Sequence, residues 1–187
     1  MALNIPEIEA EVGGQPAVGY LASDTWLAGT TFDSRGVVRL RAECEVVVEL
    51  SDDIGPQVGL NRLRNAVGRM AVGLELVEVG RYRGDVKSII AHNVFHRAFS
   101  VGEFSSPRSE PLTAVCRVNG EVRQVRRVEC GWVEPLVHIA HQLSLVNLEL
   151  RANDWIFTGA QTHVAVSAGD QLEVGIDHLG YLEMKIV

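Results

Sequence analysis

The pair Asn119-Gly120 constrains the fold more than any other feature of the chain. It separates "TAVCRV" from "EVRQVRRVE", two runs of alternating side-chain character. A two-residue connection between antiparallel strands needs positive φ at both positions, which asparagine and glycine tolerate best. The segment therefore predicts a β-hairpin, and the chain around it supplies further strands. "VVRLRAECEVVVEL" (37–50) reads as a strand from its β-branched content and its alternation through Arg39, Arg41, Glu43 and Glu45. "GLELVEV" (73–79) has the same character. So do the short runs across 153–187, which Ala168-Gly169-Asp170 and Leu179-Gly180 punctuate as tight turns. Two stretches read as helical. In 58–70, Val58, Leu63, Val67 and Met70 lie near helical spacing; in 134–150, Leu136, Val137, Ala140 and Leu143 face inward. Residues 1–16 are acidic and Gly-containing and are expected to form an arm or an irregular entry, and 102–112 reads as a polar, proline-containing loop. The expectation is one strand-rich α+β domain over 1–187, with few helices.

Bulk properties narrow the function. A length of 187 residues suits one domain, and 47% hydrophobic with 22% charged residues is ordinary for a globular protein. The net charge of −7 disfavours nucleic acid and anionic membrane as partners. No apolar run reaches the length of a membrane span, and the N-terminus has neither the basic start nor the apolar core of a secretion signal. Cys44, Cys116 and Cys130 are scattered, with no zinc spacing and no disulfide framework, so a reducing, cytoplasmic setting is expected. Lys87 and Lys185 are the only lysines.

The residues that could carry chemistry begin with Glu43 and Glu45. In an extended strand they share a face, and side-by-side like charges repel unless something offsets them. Two readings are open: a solvated strand face, or two thirds of a metal site. A hard cation such as Mg²⁺ would need further oxygen ligands. Glu75 and Glu78 are the candidates, and Glu75 is the odder because apolar residues flank it on both sides. His92 and His96 have an i, i+4 spacing that suits either a zinc-like pair or polar residues near a loop. His138 and His141 read as structural, and His163 and His178 have no partner visible in sequence. No glycine-rich phosphate loop, nucleophile elbow or cysteine–histidine signature is present.

Taken in order, "QPAVGYL" (15–21), "RAECEVVVEL" (41–50), "GLELVEVGR" (73–81), "IIAHNVF" (89–95) and the closing "NDWIFTGAQTHVAVSAGDQLEVGIDHLGYLEMKIV" (153–187) resemble the fumarylacetoacetate hydrolase superfamily. The pattern is most similar to its 2-keto-4-pentenoate hydratase and 4-oxalocrotonate decarboxylase branch. The resemblance implies a mixed β-roll core with short helices packed outside. It implies that Glu43, Glu45 and Glu75 hold Mg²⁺ or Mn²⁺, which chelates a 2-oxo acid, polarises its carbonyl and stabilises an enolate. It places Gln161 and Thr162 in a substrate-contacting turn. It also implies a homo-oligomer, a dimer or larger.

The departures from that branch are as informative. A catalytic lysine in an N-terminal helical region has no counterpart, the chain being expected to be too short there. Ala17 stands where the hydratases carry an aspartate. His92 replaces the aspartate of their "ADN" stretch, and Phe95 stands near a serine's place. The resemblance implies that the metal triad is kept while the proton-transfer residues are lost or exchanged, so it does not by itself imply standard water addition to a dienol. His92 becomes the candidate general acid or base, with Asn93 orienting it or the substrate. Ala17 and Phe95 would reshape the pocket for a less polar substrate. The enzyme expected acts on a 2-oxo acid or related enolisable dicarbonyl by decarboxylation, isomerisation, cyclisation or C–C cleavage. The alternative is a non-catalytic binding or assembly homologue that kept the fold and lost the chemistry.

Overall fold

The structure is a computed structural model, and it describes residues 18–55, 58–79, 90–109, 111–128 and 132–187. Two sheets carry the architecture. The first has four strands: β2 (Leu40–Leu50), β3 (Val67–Glu78), β4 (His96–Val101) and β7 (Trp155–Ala165), in the order β4-β3-β2-β7. The second has five: β1 (Thr31–Phe32), β5 (Leu112–Val118), β6 (Glu121–Val128), β8 (Gln171–Ile176) and β9 (Gly180–Ile186), in the order β1-β9-β8-β5-β6. Among the described strands, only the short β1–β9 pair is parallel. The Asn119-Gly120 hairpin forms as expected, with φ of 55° and 80° at the two turn residues and β5 paired to β6. The sheets face one another across one apolar core, to which β2 contributes Ala42, Cys44, Val46 and Val48, and β8 contributes Leu172, Val174 and Ile176. This is the α+β mixed β-roll with few helices that the resemblance implied.

The helices are shorter than the apolar spacing suggested. The first, α1, spans Leu60–Ala66, and β3 begins at Val67. Val67 and Met70 are therefore strand residues. β3 pairs with β2 along its whole length, Val67 to Leu50 and Glu78 to Leu40, and almost every residue of it is buried. A strand covered on both faces reads as a continuous apolar run, which a helical template also matches. The second helix, α2, spans Val133–Ser144 and buries Val133, Leu136, Ile139 and Ala140. Val137 and Leu143 are half-buried beside that stripe, and His141 is exposed.

β2 is thus a central strand, flanked by β3 and β7, and its alternation sorts two chemistries. One face looks into the core. The other carries Glu43 and Glu45, then Val47, which packs with Ala71, Phe99 and Phe157 in a second, smaller apolar cluster.

Candidate metal centre and cavity

Register brings the acids together. Glu43 of β2 stands directly opposite Glu75 of β3, and Glu45 stands one pleat along, opposite Gly73. One carboxylate oxygen from each of Glu43, Glu45 and Glu75 lies within 4.8 Å of the other two. Glu78 is three residues from Glu75 and so points to the other face; it accepts from Val38 N at 2.9 Å and pairs with Arg97. Among the two candidates for a third acid, Glu75 is the one that joins the pair.

The trio is not a solvated strand face. Glu45 is fully buried and Glu75 is 7% exposed. A buried carboxylate is costly unless it is neutralised or fully bonded. Glu45 has one bond, from the Gly159 backbone N–H to Oε2 at 2.6 Å, while its Oε1 is buried with no hydrogen-bond partner. Burial pushes the Glu45 carboxyl well above the ordinary carboxylate range, and the charge of Glu75 adds to the shift. Burial also raises Glu43, opposed by its hydrogen bond to His163. Three converging carboxylates, one of which has an unpartnered oxygen, in a cluster with no nitrogen or sulfur donor among its members, suit a hard divalent cation.

Each outer acid is braced by a histidine. His163 of β7 faces Glu43 across the strand pair, with Nδ1 2.6 Å from Oε1. His96, the first residue of β4, brings Nδ1 to 2.7 Å from Glu75 Oε1. The Thr25 hydroxyl donates to Ala22 O at 2.7 Å, so its oxygen accepts from His96 Nε2 at 2.9 Å.

Glycines make room for this arrangement. The β2–β7 register slips between Cys44 and Glu45 and again between Glu45 and Val47. These bulges put Gly159 at φ 106°, where its N–H turns toward Glu45. A Cβ at Gly73 would sit 2.5 Å from the Val47 side chain and 2.7 Å from the Phe157 ring, so only glycine lets that ring lie beside Glu75.

A cavity of about 260 Å³ opens from Glu75 and His96. Its walls include Leu21, Asn93, Val94 and Phe157. Asn93 bonds the Tyr20 backbone twice, accepting from Tyr20 N at 2.9 Å and donating to Tyr20 O at 2.6 Å. Asn93, Val94 and Phe95 all have positive φ, between 50° and 72°. Left-handed backbone costs roughly 1–2 kcal/mol per non-glycine residue, and such strain collects at functional sites.

The other residues singled out in sequence sit as follows. His92 is exposed; with Phe95, His96, Arg97 and Glu78 it borders a separate cavity of about 90 Å³. A left-handed turn separates His92 from His96, so no helical face joins them. Gln161 donates to Gly159 O at 3.0 Å across the bulge. Thr162 is buried in β7, paired with Cys44. Ala17 lies outside the described residues. Sequence reading did not single out His96, His163, Thr25 or Gly159 as parts of the acid site. Gly159 stood within the quoted "TGA" motif; the histidines had no local signal, because their partners lie across strand pairs.

The model of the fumarylacetoacetate (FAA) hydrolase C-terminal domain matches residues 14–187. The chain belongs to the fumarylacetoacetate hydrolase family. Solved structures share its fold. 4-Oxalocrotonate decarboxylase from Pseudomonas putida G7, complexed with magnesium and adipate, superposes with a TM-score of 0.90 at 21% identity, covering 100% of this chain and 76% of that one. The same enzyme complexed with calcium and acetate gives 0.90 at 23% identity over the same shares. Fumarylpyruvate hydrolase from Pseudomonas aeruginosa, in complex with Mn²⁺ and pyruvate, gives 0.66 at 21%, covering 84% and 69%. A search of curated protein sequences returns no match. Among the described residues of this family member, no helix is long and apolar enough to cross a membrane.

Proposed function

We propose that the protein is a divalent-metal-dependent enzyme of lyase type, acting on a 2-oxo acid or a related enolisable dicarbonyl. Glu43, Glu45 and Glu75 would hold Mg²⁺ or Mn²⁺. The observation that carries this reading is the convergence of three carboxylates within 4.8 Å, the most buried of which has an oxygen without a partner. A bound cation supplies Lewis-acid polarisation of the substrate's keto oxygen. The likeness to family members whose structures hold magnesium, calcium or Mn²⁺ beside carboxylic acids supports it.

The chain's own groups divide the remaining work. Gly159 N–H and His163 fix the orientation of Glu45 and Glu43. His96 stands at the edge of the cavity, against Glu75, and among the described lining residues is the histidine placed to move a proton to or from a substrate there. That supports giving His96 the proton-transfer role expected of His92. Asn93 fixes the Tyr20 segment as one wall, and Gln161 holds the bulge that aims Gly159.

The test is calorimetric titration of chelator-stripped protein with Mg²⁺ and Mn²⁺, with and without oxalate. Metal binding that tightens with oxalate and is lost in Glu43→Ala, with the far-UV circular dichroism spectrum unchanged, is the expected result. Absence of metal binding under both conditions overturns the reading and leaves a non-catalytic homologue.

A further inference from the structure

The cavity beside Glu75 changes character along its length. At one end stand Glu75 and His96. Beyond the Phe157 ring, which lies opposite Val47, the lining side chains include Ile139 and Leu143 of α2, Leu150 beyond it, and Ile156 of β7, opposite Val48. Asp154 completes this wall. It adjoins Trp155, whose register partner is Glu49, four residues along β2 from Glu45, or roughly 13 Å of strand. Asp154 accepts from the Arg151 backbone N–H at 2.7 Å, but the Arg151 guanidinium is engaged by Asp53 and Glu149. Among the described residues lining the cavity there is no lysine or arginine.

An oxo-acid head placed near Glu75 must send its remaining carbons along this wall. A second carboxylate there would lose its hydration, find no lysine or arginine among the described lining residues and approach the charge of Asp154, which is unfavourable on each count. Methylene groups in the same place would gain from leaving water. We infer that the substrate carries an uncharged, apolar tail of several carbons behind its oxo-acid head, and that Asp154 selects against a second carboxylate. This rests on the proposed function, because the head is placed by the acid trio.

Calorimetry on Mn²⁺-loaded protein tests it with three probes: oxalate for the head alone, 2-oxooctanoate for a neutral tail and 2-oxooctanedioate for a charged one. The neutral-tailed acid is expected to bind about tenfold or more tighter than the diacid. Leu143→Ala should weaken 2-oxooctanoate and leave oxalate unchanged. Asp154→Asn, which keeps an acceptor for the Arg151 N–H, should narrow the gap by improving the diacid alone. Equal or tighter binding of the diacid by the native protein overturns the inference while oxalate binding keeps the proposed function intact. A gap unchanged in Asp154→Asn removes Asp154 as the selecting group. Failure of oxalate itself overturns the proposed function, and this inference with it.

Discussion

The two faces of β2 are about equally buried and serve opposite ends. On the inner face Ala42, Cys44, Val46 and Val48 have no exposed surface, and every side-chain atom hidden is apolar or a thiol. On the outer face Glu45 is just as hidden, and Glu43 and Glu75 nearly so. Burial on the inner face stabilises the protein by about 25 cal/mol per Å² of apolar surface. Burial on the outer face costs free energy, because an orphan carboxylate oxygen forfeits its hydration. One strand can do both because side chains alternate with period two, so an extensive core on one side holds acids in place on the other. The difference shows that burial alone does not mark a core. A side chain that is buried and unsatisfied is there for what it does.

The sharpest way to break this comparison is to exchange the chemistries. Val46→Asp puts a carboxyl into the inner face among apolar side chains, where the buried Thr158 hydroxyl is already committed to the Val46 carbonyl at 3.0 Å. We expect a loss of about 4–5 kcal/mol or more, at the extreme of single substitutions. Urea denaturation would read it as a collapse of the midpoint or as failure to fold. A loss below about 1 kcal/mol would mean that the two faces are not distinct.

How much of this was legible in sequence follows from the same alternation. Glu43 and Glu45 announced themselves as paired charges entering an apolar strand, and Glu75 as a carboxylate among apolar neighbours. Both signals are local. The bracing of Glu43 by His163 and of Glu75 by His96 depends on which residue stands across a strand pair, and two bulges in β7 shift that register. No window of sequence contains it. Met70 shows the opposite failure, where local spacing suggested a helix and pairing with Val48 of β2 decided for a strand. His92 was attractive because it replaces an acid in a motif, but the left-handed turn through Asn93 to Phe95 puts His96, not His92, on the cavity with Glu75.

A smaller effect is expected on the outer face. Glu45→Gln keeps the shape and removes the charge whose burial is unfavourable. Metal-free Glu45→Gln should therefore be at least as stable as the native protein, in contrast to Val46→Asp. The native protein should gain about 2.7 kcal/mol from Mn²⁺ at one hundred times its dissociation constant, and the variant should gain little. Thermal unfolding with and without metal reads both quantities. A marked loss of stability in the metal-free variant would mean that Glu45 is a structural residue.

The finest distinction lies within the outer face, between groups that would touch the ion and groups that brace them. His163 does not join the cluster of converging oxygens; it bonds Glu43 Oε1 and fixes which way that carboxylate turns. A histidine behind a ligand typically contributes about 10- to 100-fold in metal affinity. His163→Ala should weaken Mn²⁺ binding by that factor without abolishing it, and His163→Gln, which can still donate a hydrogen bond, should recover part of the loss. Loss of the rank order, with either histidine variant as damaging as Glu43→Ala, would promote His163 from a bracing residue to a ligand. No change in either variant would show that the backbone of β2 alone orients Glu43, and that the site is set by register rather than by side-chain bonds.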